Sequence, residues 1–206
     1  MNRQSTKAQA LPRQPDPDLA APSPAPFCFH LFGELAITQK GIRLPPPPHC
    51  TQVLLAALLL YPRLWQREQL AGQLFPDAGE QRARQRLSHL LWQLRQWLPK
   101  LPLEATPQTL YLAPEARWLD VKTFRQAAAD PEVASWIAAL ALYRGDLLEG
   151  IYDDWLLQER EALYLEYVRL SHRACDALWQ QGRLEELLPL VAVSYTHLTL
   201  PTIYSV

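Results

Sequence analysis

The clearest hydrophobic pattern in the chain lies in residues 82–98 (RARQRLSHLLWQLRQWL). On an α-helix, at about 100° per residue, the apolar side chains of this segment fall on one stripe. The stripe consists of Ala83, Leu87, Leu90, Leu91, Leu94 and Leu98. The opposite face and the flanks carry Arg, Gln, Ser, His and Trp and no acid. The pattern predicts an amphipathic helix whose outer face is rich in hydrogen-bond donors.

Three short β-prone runs precede this segment, and the turn residues between them predict a small antiparallel sheet with a hairpin. The runs span residues 27–32, 35–38 and 42–44. The four prolines at 45–48 predict a stiff linker, with a polyproline recognition site as the alternative. Residues 49–61 are almost wholly apolar and predict a buried helix, whereas residues 66–75 predict a short amphipathic one.

Two further β-prone runs follow the amphipathic helix, at residues 101–105 and 109–113, and they predict a hairpin around residues 106–108. Strands, three helices and a hairpin, in this order, are typical of a winged helix-turn-helix domain. In that design the third helix enters the major groove of DNA and the hairpin lies on the adjoining backbone. We therefore expect such a domain over residues 27–118.

From residue 120 onward the apolar spacing is helical. The predicted helices span residues 121–129, 131–143, 155–180 and 184–190. Pro131 fits a first helical turn, and Asp153 and Asp154 favour the positive end of the long helix rather than a metal site. Paired helices separated by Gly-containing turns predict a helical repeat domain over residues 119–192. The fold class is therefore mainly α with small β.

The two ends of the chain differ from the rest. Residues 1–26 are rich in Pro, Ala, Gln and Ser without apolar periodicity, which predicts a disordered leader. Residues 193–206 contain no charged residue and break the helical pattern abruptly. This segment resembles translated adapter sequence and is predicted to be a non-native tail, with a genuine β-prone tail as the alternative.

Charge is distributed unevenly along the chain. The net charge of −1 alone argues against a nucleic-acid partner. However, residues 27–119 hold ten basic and six acidic side chains, whereas residues 120–193 hold seven basic and thirteen acidic ones. A mildly basic unit is thus followed by an acidic one, which keeps a DNA-binding role open for the first.

The remaining composition excludes several classes of protein. Cys28, Cys50 and Cys175 are odd in number and form no C-x-x-C pair, so we expect a reducing cytoplasm and neither a disulfide framework nor structural zinc. The longest apolar run, residues 53–60, is about half of a membrane span, so no membrane partner is expected. No phosphate loop, nucleophile elbow or metalloprotease motif occurs. We expect no enzyme, no metal and no cofactor.

Several segments carry a family resemblance that spans residues 27–190. FHLFGELAI, VLLAALLLYP and ARQRLSHLLWQLRQWL resemble the winged-helix domain of bacterial SARP-type transcriptional activators. LDVKTFRQA and ALALYRGDLLEGIYDDWLLQERE resemble the bacterial transcriptional activator domain that follows it, which is built of tetratricopeptide-like helix pairs. That domain should continue past residue 190, so the resemblance implies a truncated regulator. It also implies an activator that binds double-stranded DNA at promoter repeats, with RNA polymerase and a second copy of the chain as partners.

The outer face of the third helix supplies most of the candidate DNA-binding residues. Its arginines would neutralise phosphates, and its other polar side chains would reach base edges. The candidates on the helix are Arg82, Arg84, Gln85, Arg86, Ser88, His89, Trp92, Arg95 and Gln96. Thr109 and Tyr111 on the hairpin would contact phosphate. The alternatives are a solvated helix face, pairing of the arginines within the chain, a solvated His89, and a strand-core position for Tyr111.

Trp92 is the least expected residue on this polar face. It could contact a thymine methyl group or the duplex backbone, but burial against the second domain is the favoured interpretation. The family usually has basic side chains where this chain has Trp92 and Gln93, which implies weaker phosphate affinity or another sequence preference. The alternative function is a helical protein–protein interaction module whose winged helix no longer binds DNA. No constellation of residues supports a small-molecule-sensing domain.

Overall fold

The computed structural model describes residues 26–114, 117–188 and 190. Within these ranges the strands are β1 (Phe27–His30), β2 (Ala36–Gln39), β3 (Ile42–Leu44), β4 (Trp65–Gln66), β5 (Leu103–Ala105), β6 (Thr109–Leu112) and β7 (Arg117–Leu119). The helices are α1 (His49–Leu60), α2 (Arg67–Leu74), α3 (Glu80–Trp97), α4 (Asp120–Ala129), α5 (Val133–Leu142) and α6 (Asp154–Gln180). Apart from Pro26, the predicted leader lies outside the described residues, and so does the predicted tail at 193–206.

The first sheet has the strand order β3-β2-β1-β7. The hairpin predicted between β2 and β3 is confirmed, and both of its turn residues have positive φ, 51° at Lys40 and 78° at Gly41. This is the pattern of a type I′ turn, whose twist matches that of the flanking strands. The sequence did not predict β7, which pairs in parallel with β1. The pairing brings the chain back to its first strand just before the helical half begins.

Three helices and a second sheet form the winged-helix half. Helix α1 is buried along most of its length, as its nearly continuous apolar sequence predicts. Helix α3 begins two residues earlier than predicted, at Glu80, and turns its leucine stripe toward α1 and α2. The predicted β5–β6 hairpin is confirmed. It also gains β4 as a third strand, which places the start of α2 beside the hairpin.

The second half consists of helices packed in sequence, α4 against α5 and α5 against α6. Helix α5 begins at Val133 with Glu132 as its N-cap, so Pro131 precedes the helix instead of occupying its first turn. The reason is local, because Asp130 Oδ1 accepts the Glu132 N–H and holds this stretch extended. Asp154 stands in the first turn of α6, where an acid favours the helix dipole. In the described ranges, no helix has the length and apolar character needed to cross a membrane.

The carboxylate of Asp120 joins the two halves. It is fully buried at the junction of β7 and α4. Its Oδ2 accepts the N–H groups of Leu31 (2.7 Å) and Phe32 (3.0 Å), and its Oδ1 accepts the N–H of Val121 (2.8 Å). Buried backbone donors need such partners, because an unpaired one costs about 1–3 kcal/mol. The segment after β1 is thereby attached to the first turn of α4.

Aromatic side chains and backbone bonds extend this junction. The Phe32 ring packs on Phe124 of α4 (5.4 Å between centroids) and on Tyr143 after α5 (4.8 Å). The backbone of residues 31–33 exchanges hydrogen bonds with residues 146–149, including Leu148 N–H to Leu31 O at 2.8 Å. One continuous hydrophobic core therefore runs through both halves of the chain.

The buried Asp120 carboxyl predicts a pH dependence of stability. Burial raises its pKa to about 6, although the three backbone N–H groups and Arg144 oppose the shift. The native state therefore binds the proton more tightly than the unfolded chain. The stabilisation is complete below the unfolded pKa and is lost as the pH rises through about 6. Relative to Asp120→Asn, the wild-type protein should lose about 3 kcal/mol of unfolding free energy between about pH 3 and pH 7.

Urea denaturation across this pH range measures the difference. The matched control is Asp176→Asn, since Asp176 is exposed on α6. Its pH profile should parallel that of the wild type. A difference between wild type and Asp120→Asn that stays constant with pH would contradict the assignment.

Candidate nucleic-acid interface

Helix α3 presents one continuous polar face to solvent. Its inner stripe, Ala83, Leu87, Leu90, Leu91 and Leu94, is buried as predicted. All nine candidate DNA-binding residues on the helix are exposed. These are Arg82, Arg84, Gln85, Arg86, Ser88, His89, Trp92, Arg95 and Gln96. The packing of the leucines alone fixes the direction of this face, because no outward side chain is needed for the core.

Arg67, which the sequence did not single out, connects this face to the wing. Its guanidinium donates to Ser88 Oγ on α3 (2.9 Å) and to Thr106 O in the β5–β6 turn (3.2 Å). Its backbone N–H donates to Gln108 O (2.8 Å). In the sequence Arg67 resembles any solvated charge at a helix start, and only the pairing of β4 with β6 brings it beside the wing. The pairing of β4 with β6 and the backbone bond from Arg67 to Gln108 hold the wing beside α2, and the Arg67 side chain links the wing turn directly to α3.

The wing turn also stabilises itself. Thr106 Oγ1 accepts the N–H groups of Gln108 (3.2 Å) and Thr109 (2.9 Å) and lies 2.8 Å from Thr109 Oγ1. The predicted contact residue Thr109 is therefore half-buried with its hydroxyl already engaged. Tyr111 is also half-buried and lies opposite Glu104 in the hairpin register. The most exposed part of the wing is residues 106–108.

Two acidic neighbours offset the positive charge of Arg84. Its guanidinium pairs with Glu80, one turn earlier on α3, and with Glu68 on α2. Both carboxylates are largely exposed, at 73% and 67%, so each pair is weak in water. Together they still place two negative charges beside one positive charge. Arg84 is therefore less available to a phosphate than its position on the outer face indicates.

Trp92 stays in solvent, and its predicted burial against the second domain is wrong. The side chain is 59% exposed, because the helical half packs on the winged helix mainly through α4 and β1 and not through α3. The indole stacks on His89 one turn earlier, with ring centroids 5.9 Å apart and planes 22° apart. The two rings form a flat apolar surface in the middle of the polar face.

A groove lies beside these rings, between α3 and the start of α1. It has a volume of about 620 Å³, and Gln85, Arg86 and His89 line one side. Arg86 extends over the Phe75 ring, 5.6 Å from its centroid. The groove gives the outer face a concave edge on the side of α3 away from the wing. The face is thus flanked by the wing on one side and by the groove on the other.

Comparison with known proteins identifies the second half of the chain. Residues 119–197 match the family model described as the bacterial transcriptional activator domain. The second half of this chain is therefore similar to that domain, and we refer to it as the activator domain. The match begins in β7 and includes α4, α5 and α6. No curated protein sequence matches the chain.

A solved structure shares the fold of both halves. Mycobacterium tuberculosis EmbR, in complex with a low affinity phosphopeptide, is similar to this chain with a TM-score of 0.68 at 22% sequence identity. The similarity covers 84% of this chain and 51% of the EmbR chain, so the chain spans about half the length of that protein. The predicted architecture, a winged helix followed by a helical domain, is confirmed. The resemblance to SARP-type regulators is likewise confirmed, with the activator domain as its most specific part.

Arg67 should control the order of the wing more than the stability of the chain. Arg67→Ala removes the bonds to Ser88 and Thr106, so amide hydrogen exchange in residues 106–109 should become faster. The unfolding free energy should change by less than about 1 kcal/mol, since these bonds are exposed. Hydrogen exchange followed by mass spectrometry measures the effect.

The control for this experiment is Arg63→Ala. Arg63 lies over the Trp65 ring at 3.8 Å, beside the same sheet, and no described bond joins it to the wing turn. Unchanged exchange at residues 106–109 in Arg67→Ala would show that the turn holds its position without this side chain.

Proposed function

We propose that this protein is a sequence-specific DNA-binding transcriptional regulator that acts as an activator. Helix α3 would lie in the major groove, and the turn between β5 and β6 would lie on the adjoining phosphate backbone. The observation that carries the proposal is the outer face of α3, exposed along its length beside a wing whose turn is hydrogen-bonded to Arg67. The activator domain in the second half supports the regulatory role.

The dimensions of α3 suit this placement. Its 18 residues make a rod about 27 Å long, and an α-helix with side chains is about as wide as the major groove. Arg82, Arg86 and Arg95 would then reach phosphates on both sides of the groove. Gln85 and His89 would face base edges, and the Trp92 ring would pack against a thymine methyl group or a sugar.

Ser88 has a different part in this proposal. Its hydroxyl already donates to Arg84 O (2.9 Å) and accepts from Arg67 (2.9 Å). A donor engaged in this way is poorly available for a base. We therefore assign Ser88 to the positioning of Arg67 and the wing, and the reading of bases to Gln85, His89 and Gln96.

The activator domain would contribute protein contacts. Residues 120–193 carry an excess of acidic side chains, which disfavours contact with DNA and favours a basic protein surface. RNA polymerase bound at a promoter and a second copy of the chain on a repeated site are the partners we propose. A winged helix that serves only as a protein-binding surface is the competing function, and the exposed Trp92 together with the acidic neighbours of Arg84 favours it.

Salt dependence of binding tests the placement of α3. Removal of one arginine–phosphate pair should reduce the slope of log K against log salt by about 0.9. Arg82→Ala, Arg86→Ala and Arg95→Ala should each show this reduction on a mixed-sequence DNA duplex, measured by fluorescence anisotropy. The matched control is Arg169→Ala, exposed on α6, which should leave the slope unchanged. If the wild-type chain shows no salt-dependent DNA binding, the proposal is wrong and the competing function is favoured.

The acidic neighbours of Arg84 provide a second test, in which the substitution should strengthen DNA binding instead of weakening it. Glu80→Gln removes one of the two carboxylates that pair with Arg84, so Arg84 becomes more available to a phosphate. DNA affinity should rise by about three- to fivefold at low salt, the size expected for one exposed ion pair. Glu161→Gln, exposed on α6, is the control of equal charge change. Equal effects of the two substitutions would mean that net charge alone is responsible and that Arg84 does not contact DNA.

A further inference from the structure

A cavity lies where the end of α1 meets β7 and α4. Its volume is about 410 Å³, within the range of about 300–1,000 Å³ that small-molecule sites occupy. Seven of its eleven lining residues are apolar, and they include Leu59 and Leu60 from α1 and Leu119 and Val121 from the opposite wall. Such a surface favours an apolar occupant of small-molecule size, because binding removes the apolar surfaces of both from water.

The charged lining residues of this cavity are all cationic. They are Arg117, Lys122 and Arg125, and no acidic residue of the described ranges lines it. Arg125 pairs with Glu159 (2.8 Å) and Glu166 (3.3 Å) on α6, so its charge is largely offset. Lys122 is exposed and forms no ion pair with a carboxylate in the described part of the chain. An anionic group would therefore find its partner in Lys122.

The buried Arg117 places this cavity at a structural junction. Its guanidinium donates to Leu112 O at the end of β6 (3.2 Å) and approaches Leu58 O of α1 at 3.5 Å. The residue itself belongs to β7, beside the first helix of the activator domain. An occupant of the cavity would thus contact α1 and α4 at once.

We propose that this cavity binds a small amphipathic anion, an acyl or aromatic carboxylate whose apolar body lies between α1 and α4 and whose carboxylate pairs with Lys122. A small molecule fits this site. Its one apolar body would contact the apolar walls, and its one negative charge would pair with Lys122. The proposal does not depend on DNA binding, since none of the candidate DNA-binding residues lines the cavity.

Calorimetric titration of the full chain with decanoate tests the proposal, with decan-1-ol as the uncharged probe of the same chain length. Decanoate should bind at one saturable site with a Kd on the order of 0.1 mM, the affinity expected for a ligand of this size. Lys122→Gln should weaken decanoate about three- to fivefold and leave decan-1-ol unchanged. Lys122 is exposed, so this substitution leaves the core intact.

A second variant tests the location of the site. Ala129 is exposed at the end of α4 and lines the cavity, so Ala129→Trp should fill its mouth and abolish saturable binding of both probes. Ala141→Trp, exposed on α5, is the control and should bind like the wild type. Absence of saturable decanoate binding, equal affinity in Lys122→Gln, or full binding in Ala129→Trp would each overturn the proposal.

Discussion

The fold depends on the buried carboxylate of Asp120. A charged group without solvent is costly unless hydrogen bonds compensate for the loss. Here three backbone N–H groups compensate in part, since burial still raises the pKa of the carboxyl. Two of these donors, Leu31 and Phe32, lie almost ninety positions earlier in the chain. In the folded chain the Asp120 carboxylate and these two N–H groups supply hydrogen-bond partners to each other. This hydrogen bonding therefore helps to align β7 with β1. Together with the backbone hydrogen bonds between residues 31–33 and 146–149, it attaches the winged-helix half to the activator domain.

This junction determines where the activator domain lies and therefore what it leaves uncovered. Helix α4 starts on the β1 side of the winged helix, and Tyr61 at the end of α1 donates to Glu159 of α6 at 3.1 Å. Both contacts lie at the end of α1 remote from the groove beside α3. The inner surface of α3 is already occupied by α1 and α2, with Thr51 of α1 donating to Gln93 at 3.0 Å. The outer face of α3 consequently remains uncovered, as its proposed placement in a DNA groove requires.

Much of the fold could be predicted from periodicity, because long helices bury a stripe that repeats every three or four residues. The leucine stripe of α3 and the boundaries of α1, α4 and α6 follow in this way to within one or two residues. Strands β4 and β7 could not be predicted, since they contain two and three residues and pair with strands distant in the sequence. The burial of Trp92 was mispredicted for a related reason. Its exposure depends on how the two halves are arranged, and local spacing carries no information about that arrangement.

Net charge is a poor guide to the surfaces of this protein, because several arginines are neutralised within the chain. Arg84 is flanked by Glu68 and Glu80, and Arg125 by Glu159 and Glu166, so neither presents a full charge outward. Arg82, Arg86 and Arg95 on α3 and Lys122 at the cavity form no ion pair with a carboxylate in the described ranges. The net charge of −1 counts paired and unpaired charged groups alike. What an anionic partner encounters is the distribution of cations without acidic partners, and these include the arginines on the outer face of α3 and Lys122 at the mouth of the junction cavity.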